Sequence, residues 1–422
     1  MGRHKIMLEF LYKAVTFILA PVIYLKIKLS SKGSAYGDRI KELLGDIPAK
    51  DYGCPVWFHT VSVGETMGAL PLIKRFHELN PDRKVVVTTS TPTGAALYRN
   101  ISYVEHLYAP LDSTIAVNRF IDQLKPSAMI IMETELWPNL LARLKKNNVP
   151  VILMNARLSD RSASRYSLLG KSFNKYIGDR LTMLICQTND DRNNFEKLGI
   201  SSDKLHISGS LKFDIDVNQE KIALGEQFSQ RFAPRKILCV ASTHEGEDEI
   251  ALNIFQKVRE NIPGLLLILI PRHPERFDNV YKIAEESGFK TARKTDAEIS
   301  SDVDVIIGNT MGEMPIYMSA STLVLMAGSL TDIGGHNPLE AIAVNTPVIS
   351  GPYIRNFKKI FNDLVASNAC VVANTENLPN VIISLLNDNN KLTELSRNAI
   401  SVLNSNKGAI EKTLNLLSEK IN

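Results

Sequence analysis

The sequence predicts an α/β protein made of two doubly wound parallel sheets. From residue 55 onwards, short apolar runs alternate with longer amphipathic segments, which is the pattern of repeated βαβ units. A polar stretch over residues 215–234 interrupts this pattern, which starts again at Ile237. The 422 residues suffice for two such domains. We therefore predict an N-terminal segment over residues 1–40, a first domain over 41–214, a connection over 215–234 and a second domain over 235–422.

The N-terminal segment differs from the rest of the chain in charge and hydropathy. Residues 1–50 contain nine Lys or Arg against four Asp or Glu, whereas residues 51–422 contain 40 against 41. The uncharged run Ala14–Leu25 is followed by Lys26, Lys28 and Lys32. Apolar length followed by cations suits a membrane with anionic headgroups. We expect an anchor that spans or dips into the membrane and holds the body at its cytoplasmic face. The alternative is a helix packed on the protein's own surface.

Apolar runs predict the strands of the first domain. The predicted strands are Val56–Val61, Lys84–Thr89, Val104–Tyr108, Met129–Met132, Val151–Met154, Leu184–Cys186 and Leu205–Ile207. Amphipathic segments between them predict helices, for example Glu65–Glu78, Pro138–Lys146 and Asp190–Leu198. In a parallel sheet, functional residues gather at the carboxyl ends of the strands.

Two strand ends of the first domain carry carboxylates. The motif VSVGE leads from a strand through Gly64 into a helix, so Glu65 is either a catalytic base or an acid that only stabilises the first helical turn. The motif METELWP closes an apolar strand with Glu133 and Glu135, whose side chains point the same way in an extended segment. The pattern leaves open whether one of them faces a cleft or both are solvated.

The second domain repeats the same rhythm. Its predicted strands are Ile237–Ala241, Leu265–Ile270, Val303–Ile307, Thr322–Met326, Pro347–Ser350 and Ala369–Val372. Two similar domains in series are expected to leave a cleft in which a donor and an acceptor meet.

The stretch Thr322–Glu340 combines a strand, a loop with Gly334 and Gly335, and a helix start at Asn337-Pro338-Leu339-Glu340. Asn is a good N-cap, Pro suits the first helical position, and Glu340 is expected to reach back to the cap. A glycine-rich loop before a helix N-terminus offers N–H groups to a phosphate. The alternative is a well-capped helix that binds nothing.

Three further strand ends of the second domain are polar. They are Ser242 and Thr243, then Pro271, Arg272 and His273, and finally Met311, Gly312 and Glu313. Arg272 offers a forked cation to a phosphate, or pairs with a nearby carboxylate. Four polar strand ends in one domain favour a nucleotide site.

Motif absences and cysteine usage exclude several kinds of site. Neither domain opens with GxGxxG and no Walker lysine loop occurs, which argues against dinucleotides and ATP. The four cysteines lie far apart, so we expect a reducing compartment and no structural zinc. The balanced charge of residues 51–422 does not predict nucleic-acid binding.

The motifs VSVGE, TPTG, METELWPN, NARLSDRS, GSLKFD, STHEGE, PRHPERF, MGEM and GSLTDIGGHNPLEA occur in this order. Together they resemble the 3-deoxy-D-manno-oct-2-ulosonic acid (Kdo) transferases of lipopolysaccharide assembly. The resemblance implies an inverting glycosyltransferase, independent of metal or other cofactor, with two Rossmann-like domains facing a cleft, the GT-B arrangement. Its implied donor is CMP-Kdo, and its acceptor is a lipid A precursor (lipid IVA) at the cytoplasmic face of the bacterial inner membrane.

The resemblance also implies residue roles. The general base falls on Glu65, a second essential carboxylate on Glu133 rather than Glu135, and a lysine that stabilises the transition state on Lys212. Nucleotide contacts fall on Pro271, Arg272, Met311, Gly312, Glu313, Asn337, Pro338, Leu339 and Glu340. The secondary candidates are Glu135, Ser242, Thr243, His273, Gly334 and Gly335. Asn309 stands where the family more often has Asp.

Two other functions compete with this one. A glycosyltransferase or epimerase that uses a UDP-sugar predicts stabilisation by uridine rather than cytidine nucleotides. A non-catalytic, membrane-tethered nucleotide sensor predicts nucleotide binding without turnover. The carboxylates of the first domain speak against the sensor.

Overall fold

The computed structural model describes residues 2–30, 33–168 and 170–421, so Lys32 of the basic N-terminal run lies outside the described residues. The described residues form two compact units. The first comprises Met1–Asp214 together with Lys407–Asn422, and the second comprises Ile215–Asn406.

The first unit begins with a long helix and continues as alternating strands and helices. In chain order these are α1 (Gly2–Leu29), α2 (Gly33–Tyr36), β1 (Val56–His59), α3 (Val63–Leu79), β2 (Val85–Thr89), α4 (Pro92–Ala96), β3 (Val104–Tyr108), α5 (Thr114–Leu124), β4 (Ala128–Met132), α6 (Pro138–Lys146), β5 (Val151–Ala156), α7 (Asp160–Ser167), α8 (Lys171–Tyr176), β6 (Met183–Cys186), α9 (Asn189–Lys197) and β7 (Leu205–Ile207).

The sheet of the first unit is parallel throughout, in the order β3-β2-β1-β4-β5-β6-β7. Both of its faces are covered, because Trp57 packs on Phe120 on one side while Phe58 packs on Phe76 on the other. Strands buried on two faces read as continuous apolar runs, which is why the sequence reveals them. The chain order reverses between β1 and β4, so the switch point of this sheet lies there.

The described side chains of helix α1 contact the rest of the first unit along one stripe. The Tyr12 hydroxyl donates to Asp112 Oδ2 at 2.8 Å, the Asn139 amide donates to Thr16 Oγ1 at 3.0 Å, and Ala20 is buried. The other sides expose large apolar side chains such as Phe17 and Ile18. The segment Phe10–Leu29 is long and apolar enough to cross a membrane. The helix therefore packs on its own unit and also presents an apolar surface; membrane attachment stays a prediction.

The second unit repeats the strand–helix alternation. Its elements are α10 (Gln219–Gln230), β8 (Ile237–Thr243), α11 (Glu247–Arg259), β9 (Leu266–Pro271), α12 (Phe277–Glu286), β10 (Thr291–Arg293), β11 (Val305–Ile307), α13 (Met314–Ser319), β12 (Leu323–Met326), α14 (Leu339–Ala343), β13 (Val348–Ser350), α15 (Lys358–Ala366), β14 (Val371–Val372), α16 (Leu378–Leu386) and α17 (Asn389–Asn406).

The second sheet is also parallel, in the order β10-β11-β9-β8-β12-β13-β14. Its switch point lies between β8 and β12. The six predicted strands are present, and the sequence missed only the short edge strand β10 among the described strands. The predicted fold class, α/β with two parallel sheets, is confirmed.

The ends of the second unit differ from the predicted domain limits. Residues 215–234, predicted as a connection, contain α10, which packs on α13 so closely that a Cβ on Gly225 would lie 2.5 Å from Ile316 O. The last helix, α18 (Ala409–Ser418), packs against α3 of the first unit instead of closing a domain that extends from 235 to 422. Asp214 fixes the start of α18 in the first unit, because its carboxylate accepts from the amides of Gly408 and Ile410 at 2.6 Å each.

Candidate active site

Three carboxylates flank the switch point of the first unit. Glu65 follows β1, whereas Glu133 and Glu135 follow β4, the strand hydrogen-bonded to β1. The charges of Glu135 and Glu133 both contribute to raising the pKa of Glu65, so the three groups interact electrostatically. The strand order thus brings together two motifs that are far apart in sequence.

Glu65 is held at the start of α3. Ser62 is the N-cap and its hydroxyl accepts from the Glu65 amide at 3.3 Å. The Glu65 carboxylate accepts from the Val61 amide at 3.0 Å and from the Ser62 hydroxyl at 2.8 Å. Burial raises the pKa of Glu65, although these two hydrogen bonds oppose the increase. Both sequence interpretations are therefore compatible with the structure, since Glu65 caps its helix and is also a carboxylate of raised basicity.

Glu133 and Lys212 form an ion pair within the first unit. The Lys212 ammonium lies 3.5 Å from Glu133 Oε1, and both side chains are 24% exposed. Glu133 has φ of +59°, a strained conformation for a residue with a Cβ. Glu135 differs, because its carboxylate accepts from the Trp137 indole at 3.0 Å. The two neighbouring acids therefore have different partners, which sequence alone did not distinguish.

Two buried polar residues near these acids were not among the predicted site residues. Asn155 has φ of +51° at the end of β5, and its side-chain oxygen accepts from the Leu211 amide at 3.2 Å, which fixes the turn that carries Lys212. His59 is fully buried beside Trp137, with ring centroids 4.8 Å apart, and burial lowers its pKa to about 3. Within the described residues, His59 Nε2 and Asn155 Nδ2 lack hydrogen-bond partners. Asn155 could have been found from the sequence because it begins the motif NARLSDRS. His59 lies in an apolar strand, and no motif marks it as a site residue.

A histidine pair flanks the switch point of the second unit. His244 follows β8 and His336 precedes α14, and their Nε2 atoms lie 3.0 Å apart with the rings stacked. Burial lowers the pKa of His336 to about 4, with further lowering by His244, Arg272 and His273, and burial also lowers the pKa of His244. Both rings are therefore neutral near pH 7, so one nitrogen donates to the other. Neither histidine was predicted as a site residue from the sequence.

Arg272 follows β9, the neighbour of β8. Its amide donates to Thr243 O at 2.9 Å, and its guanidinium has no carboxylate within ion-pair distance among residues the structure describes. The predicted alternative, a structural ion pair, is therefore not formed with any carboxylate that the structure describes. Burial raises the pKa of Glu340, while Arg272 lowers it. A forked cation beside a carboxylate and neutral imidazoles suits a phosphate and a sugar hydroxyl.

The glycine-rich loop does not offer its N–H groups as predicted. The amides of Gly334 and Gly335 both donate to Gly328 O, at 3.0 and 2.6 Å. A Cβ on Gly328 would lie 2.8 Å from the His336 ring. The glycines therefore allow a tight loop that seats His336, and their own amides are already bonded.

The helix start after this loop also differs in detail. Asn337 Oδ1 accepts from the Leu339 amide at 3.2 Å, while Pro338 occupies the N-cap position of α14. The expected hydrogen bond from the cap to Glu340 is not formed within the described chain. Glu340 is thus a half-buried carboxylate without a capping role.

The remaining candidates divide into internal and accessible groups. Thr243 is buried and donates to Asp248 at 2.6 Å, whereas Ser242, with φ of +66°, turns the chain after β8. His273 is exposed beside His244, with centroids 5.5 Å apart. Pro271 is buried at the end of β9.

The turn before α13 holds the last candidates. Met311 and Gly312 are exposed, and Gly312 O accepts from the Lys221 ammonium at 2.8 Å. The Glu313 carboxylate accepts from the Thr310 hydroxyl at 2.6 Å. This turn therefore presents exposed backbone near the carboxyl end of β11.

Glu247 is a buried carboxylate that was not predicted from the sequence as a site residue. It accepts from the amides of His244 at 3.0 Å, Gly328 at 2.8 Å and Leu330 at 2.8 Å, so it joins the two loops that carry the histidine pair. We expect Glu247→Gln to lower the free energy of unfolding by about 3 kcal/mol, because a carboxamide cannot accept from all of these amides. Urea denaturation followed by circular dichroism measures this loss. The matched control is Glu249→Gln, on the exposed side of the same helical turn; equal stability of the two variants would contradict the expectation.

Comparison with known proteins assigns the chain to a family. Residues 38–215 match the family model described as 3-deoxy-D-manno-octulosonic-acid transferase (kdotransferase), and residues 249–402 match that of glycosyl transferases group 1. The chain is 35% identical to the 3-deoxy-D-manno-octulosonic acid transferase of Haemophilus influenzae, over 97% of this chain and 98% of the relative. It is 32% identical to the transferase of the same name from Bordetella pertussis, over 86% and 87% of the two chains.

A solved structure supports the fold. The UDP-GlcNAc 2-epimerase from Neisseria meningitidis bound to UDP-GlcNAc is similar with a TM-score of 0.58, at 16% identity, over 87% of this chain and 100% of that one. At this identity the likeness shows the two-domain α/β architecture alone. The relatives, however, are similar in sequence over most of their length and most of this chain, which therefore belongs to the 3-deoxy-D-manno-octulosonic acid (Kdo) transferase family of glycosyltransferases.

Proposed function

We propose that this Kdo transferase transfers Kdo from CMP-Kdo to a lipid A precursor, lipid IVA, with inversion at the anomeric carbon. The observation that carries the proposal is that charged groups gather at the switch points of both sheets. The first unit has a carboxylate of raised pKa beside an acid–lysine pair, and the second has a cation, a neutral histidine pair and a carboxylate. We therefore assign acceptor activation to the first unit and donor binding to the second.

Glu65 acts as the general base. It takes the proton from the acceptor hydroxyl while the oxygen forms a bond to the anomeric carbon of Kdo. The bond between that carbon and the CMP phosphate oxygen breaks at the same time, and its electron pair leaves with CMP. A raised pKa makes the carboxylate a better proton acceptor, and direct displacement requires no covalent enzyme intermediate.

The leaving phosphate needs positive charge and hydrogen-bond donors. Arg272 supplies a guanidinium, and the neutral histidine pair supplies the ring N–H that is not used in the bond between the two Nε2 atoms. Glu340 accepts from the ribose hydroxyls, and the Lys212 ammonium stabilises negative charge in the transition state. With these groups in place, we propose that no metal ion is required.

Helix α1 brings the first unit to the lipid acceptor. Its exposed apolar side chains enter the cytoplasmic face of the inner membrane while its Tyr12 and Thr16 stripe stays on the protein. Lys26 and Lys28 at its end are exposed and meet anionic headgroups. Because one stripe of the helix packs on the protein, we propose that it lies in the membrane surface instead of crossing it.

Two measurements test the function. Incubation with CMP-Kdo and tetra-acylated lipid IVA, in the presence of EDTA, is expected to increase the mass of the lipid by one or more Kdo units. In a thermal-shift assay, CMP is expected to raise Tm more than UMP or UDP. Preferential stabilisation by uridine nucleotides would favour the UDP-sugar alternative. CMP binding without turnover of authentic substrates would favour the nucleotide sensor.

A further inference from the structure

An apolar cavity lies beside helix α1, on the side of α6 and α8. Its volume is about 260 Å³. The lining includes Tyr12, Leu136, Pro138, Tyr166, Phe173 and Ile177. None of these residues has a role in the chemistry proposed above, and a cytidylate or a soluble sugar has no need of an apolar cavity.

A second, cationic cavity adjoins the first. Its volume is about 500 Å³, and it shares Asn139 and Arg180 with the apolar cavity. The cations that line it are Lys13, Arg143, Lys145, Lys146 and Arg180. The Arg180 guanidinium donates to Pro138 O at 2.8 Å, and Arg143 pairs with Asp122. The two cavities together offer an apolar space next to a positively charged one.

The two cavities lie between helix α1 and the segment that carries Glu133 and Glu135. Tyr12 and Lys13 of α1 line one cavity each. Leu136, in the apolar lining, stands between Glu135 and Trp137 in the motif METELWPN. An occupant would therefore touch both the helix with the exposed apolar face and the segment that carries the acids of the candidate active site.

We infer that the paired cavities bind the lipid acceptor, with one acyl chain in the apolar cavity and a phosphate of its head group in the cationic one. This inference rests on the proposed function, since it specifies how the acceptor of that reaction is held. Charge complementarity supports an anionic amphiphile, because Lys13, Arg143, Lys145 and Lys146 line the neighbouring cavity and Arg180 lines both. Continuity with the apolar surface of α1 supports a ligand that comes from a membrane.

The test distinguishes binding of the acyl chain of the acceptor from binding of its phosphate. Ser172 lines the apolar cavity, and Ser172→Trp fills it. This variant is expected to raise KM for lipid IVA about tenfold, comparable to losing the burial of two methylene groups, and to leave KM for a deacylated, still phosphorylated acceptor unchanged. The matched control is Ser164→Trp on the exposed side of α7. The charge reversals Lys145→Glu and Lys146→Glu are expected to raise KM for both acceptors, whereas Lys412→Glu on α18 raises neither.

A measurement of ligand binding in the absence of CMP-Kdo tests this inference independently of the proposed transfer reaction. Dodecyl phosphate, which has a chain and a phosphate but no sugar, is titrated while tryptophan fluorescence is followed, since Trp137 adjoins Leu136. Saturable binding that Ser172→Trp weakens supports the lipid site even if no Kdo is transferred. Equal behaviour of Ser172→Trp and Ser164→Trp in both assays would overturn it. The inference would also be overturned if Ser172→Trp bound phospholipid vesicles more weakly but kept a normal KM for lipid IVA. In that case the apolar cavity would bind membrane phospholipid and not the acceptor.

Discussion

Glu65→Gln is expected to lower kcat by about 10²–10⁴-fold, the contribution of a general base. The substitution keeps the shape of the side chain and an oxygen that accepts from the Val61 amide or the Ser62 hydroxyl, and Gln serves in a capping box as Glu does. The folded state holds the Glu65 proton more tightly than the unfolded state, so ionised Glu65 disfavours folding above its raised pKa. Gln therefore costs little stability at neutral pH.

The control for this prediction is Ser62→Ala, which removes the cap and leaves the carboxylate. We expect it to lower the free energy of unfolding by about 1 kcal/mol and to change kcat by less than about tenfold. Steady-state turnover and urea denaturation of both variants separate the capping role from the catalytic one. If Glu65→Gln lost stability but kept its turnover, Glu65 would be a cap and not a base.

The pH dependence of the wild-type enzyme gives a second check on Glu65. A base must be ionised to accept a proton, so activity is lost as pH falls through the pKa of the carboxyl group. Because burial raises that pKa, the acidic limb of kcat/KM should lie above the range of an ordinary glutamate. The limb should disappear from the residual activity of Glu65→Gln.

Lys212→Met and Glu133→Gln are each expected to lower kcat by about 10²-fold or more, since they remove charges that stabilise the transition state. The two groups are 3.5 Å apart, so their effects should not add, and the double variant should be about as slow as the slower single one. Binding of CMP should be unchanged, because the donor groups belong to the second unit.

Glu135→Gln is the matched control for Glu133→Gln. Glu135 accepts from the Trp137 indole and has no lysine partner among the described residues, so its loss should reduce kcat less than about tenfold. Single-turnover measurements with saturating CMP-Kdo and acceptor make the comparison. A larger defect in Glu135→Gln than in Glu133→Gln would transfer the essential role to Glu135.

The strands of both sheets could be predicted because burial on two faces makes them continuous apolar runs. Trp57 and Phe58 show why, since neighbouring side chains enter different cores and both must be apolar. Strand β10 escaped prediction because it is a three-residue edge strand in which Thr291 and Arg293 flank one buried alanine. The place of helix α18 against α3 could not be predicted, because it depends on contacts between parts of the chain that are far apart in sequence.

The sequence by itself determined the fold class, the family motifs and the polar residues that end each strand, because burial and turn chemistry act over a few neighbouring residues. Only the tertiary structure decided that β1 lies next to β4 and β8 next to β12, which brings Glu65 near Glu133 and His244 onto His336. It also decided that the Gly334 and Gly335 amides bond to Gly328, so that they are unavailable to a phosphate. Strand order and hydrogen-bond partners depend on contacts between distant parts of the chain, and no local pattern of residues encodes them.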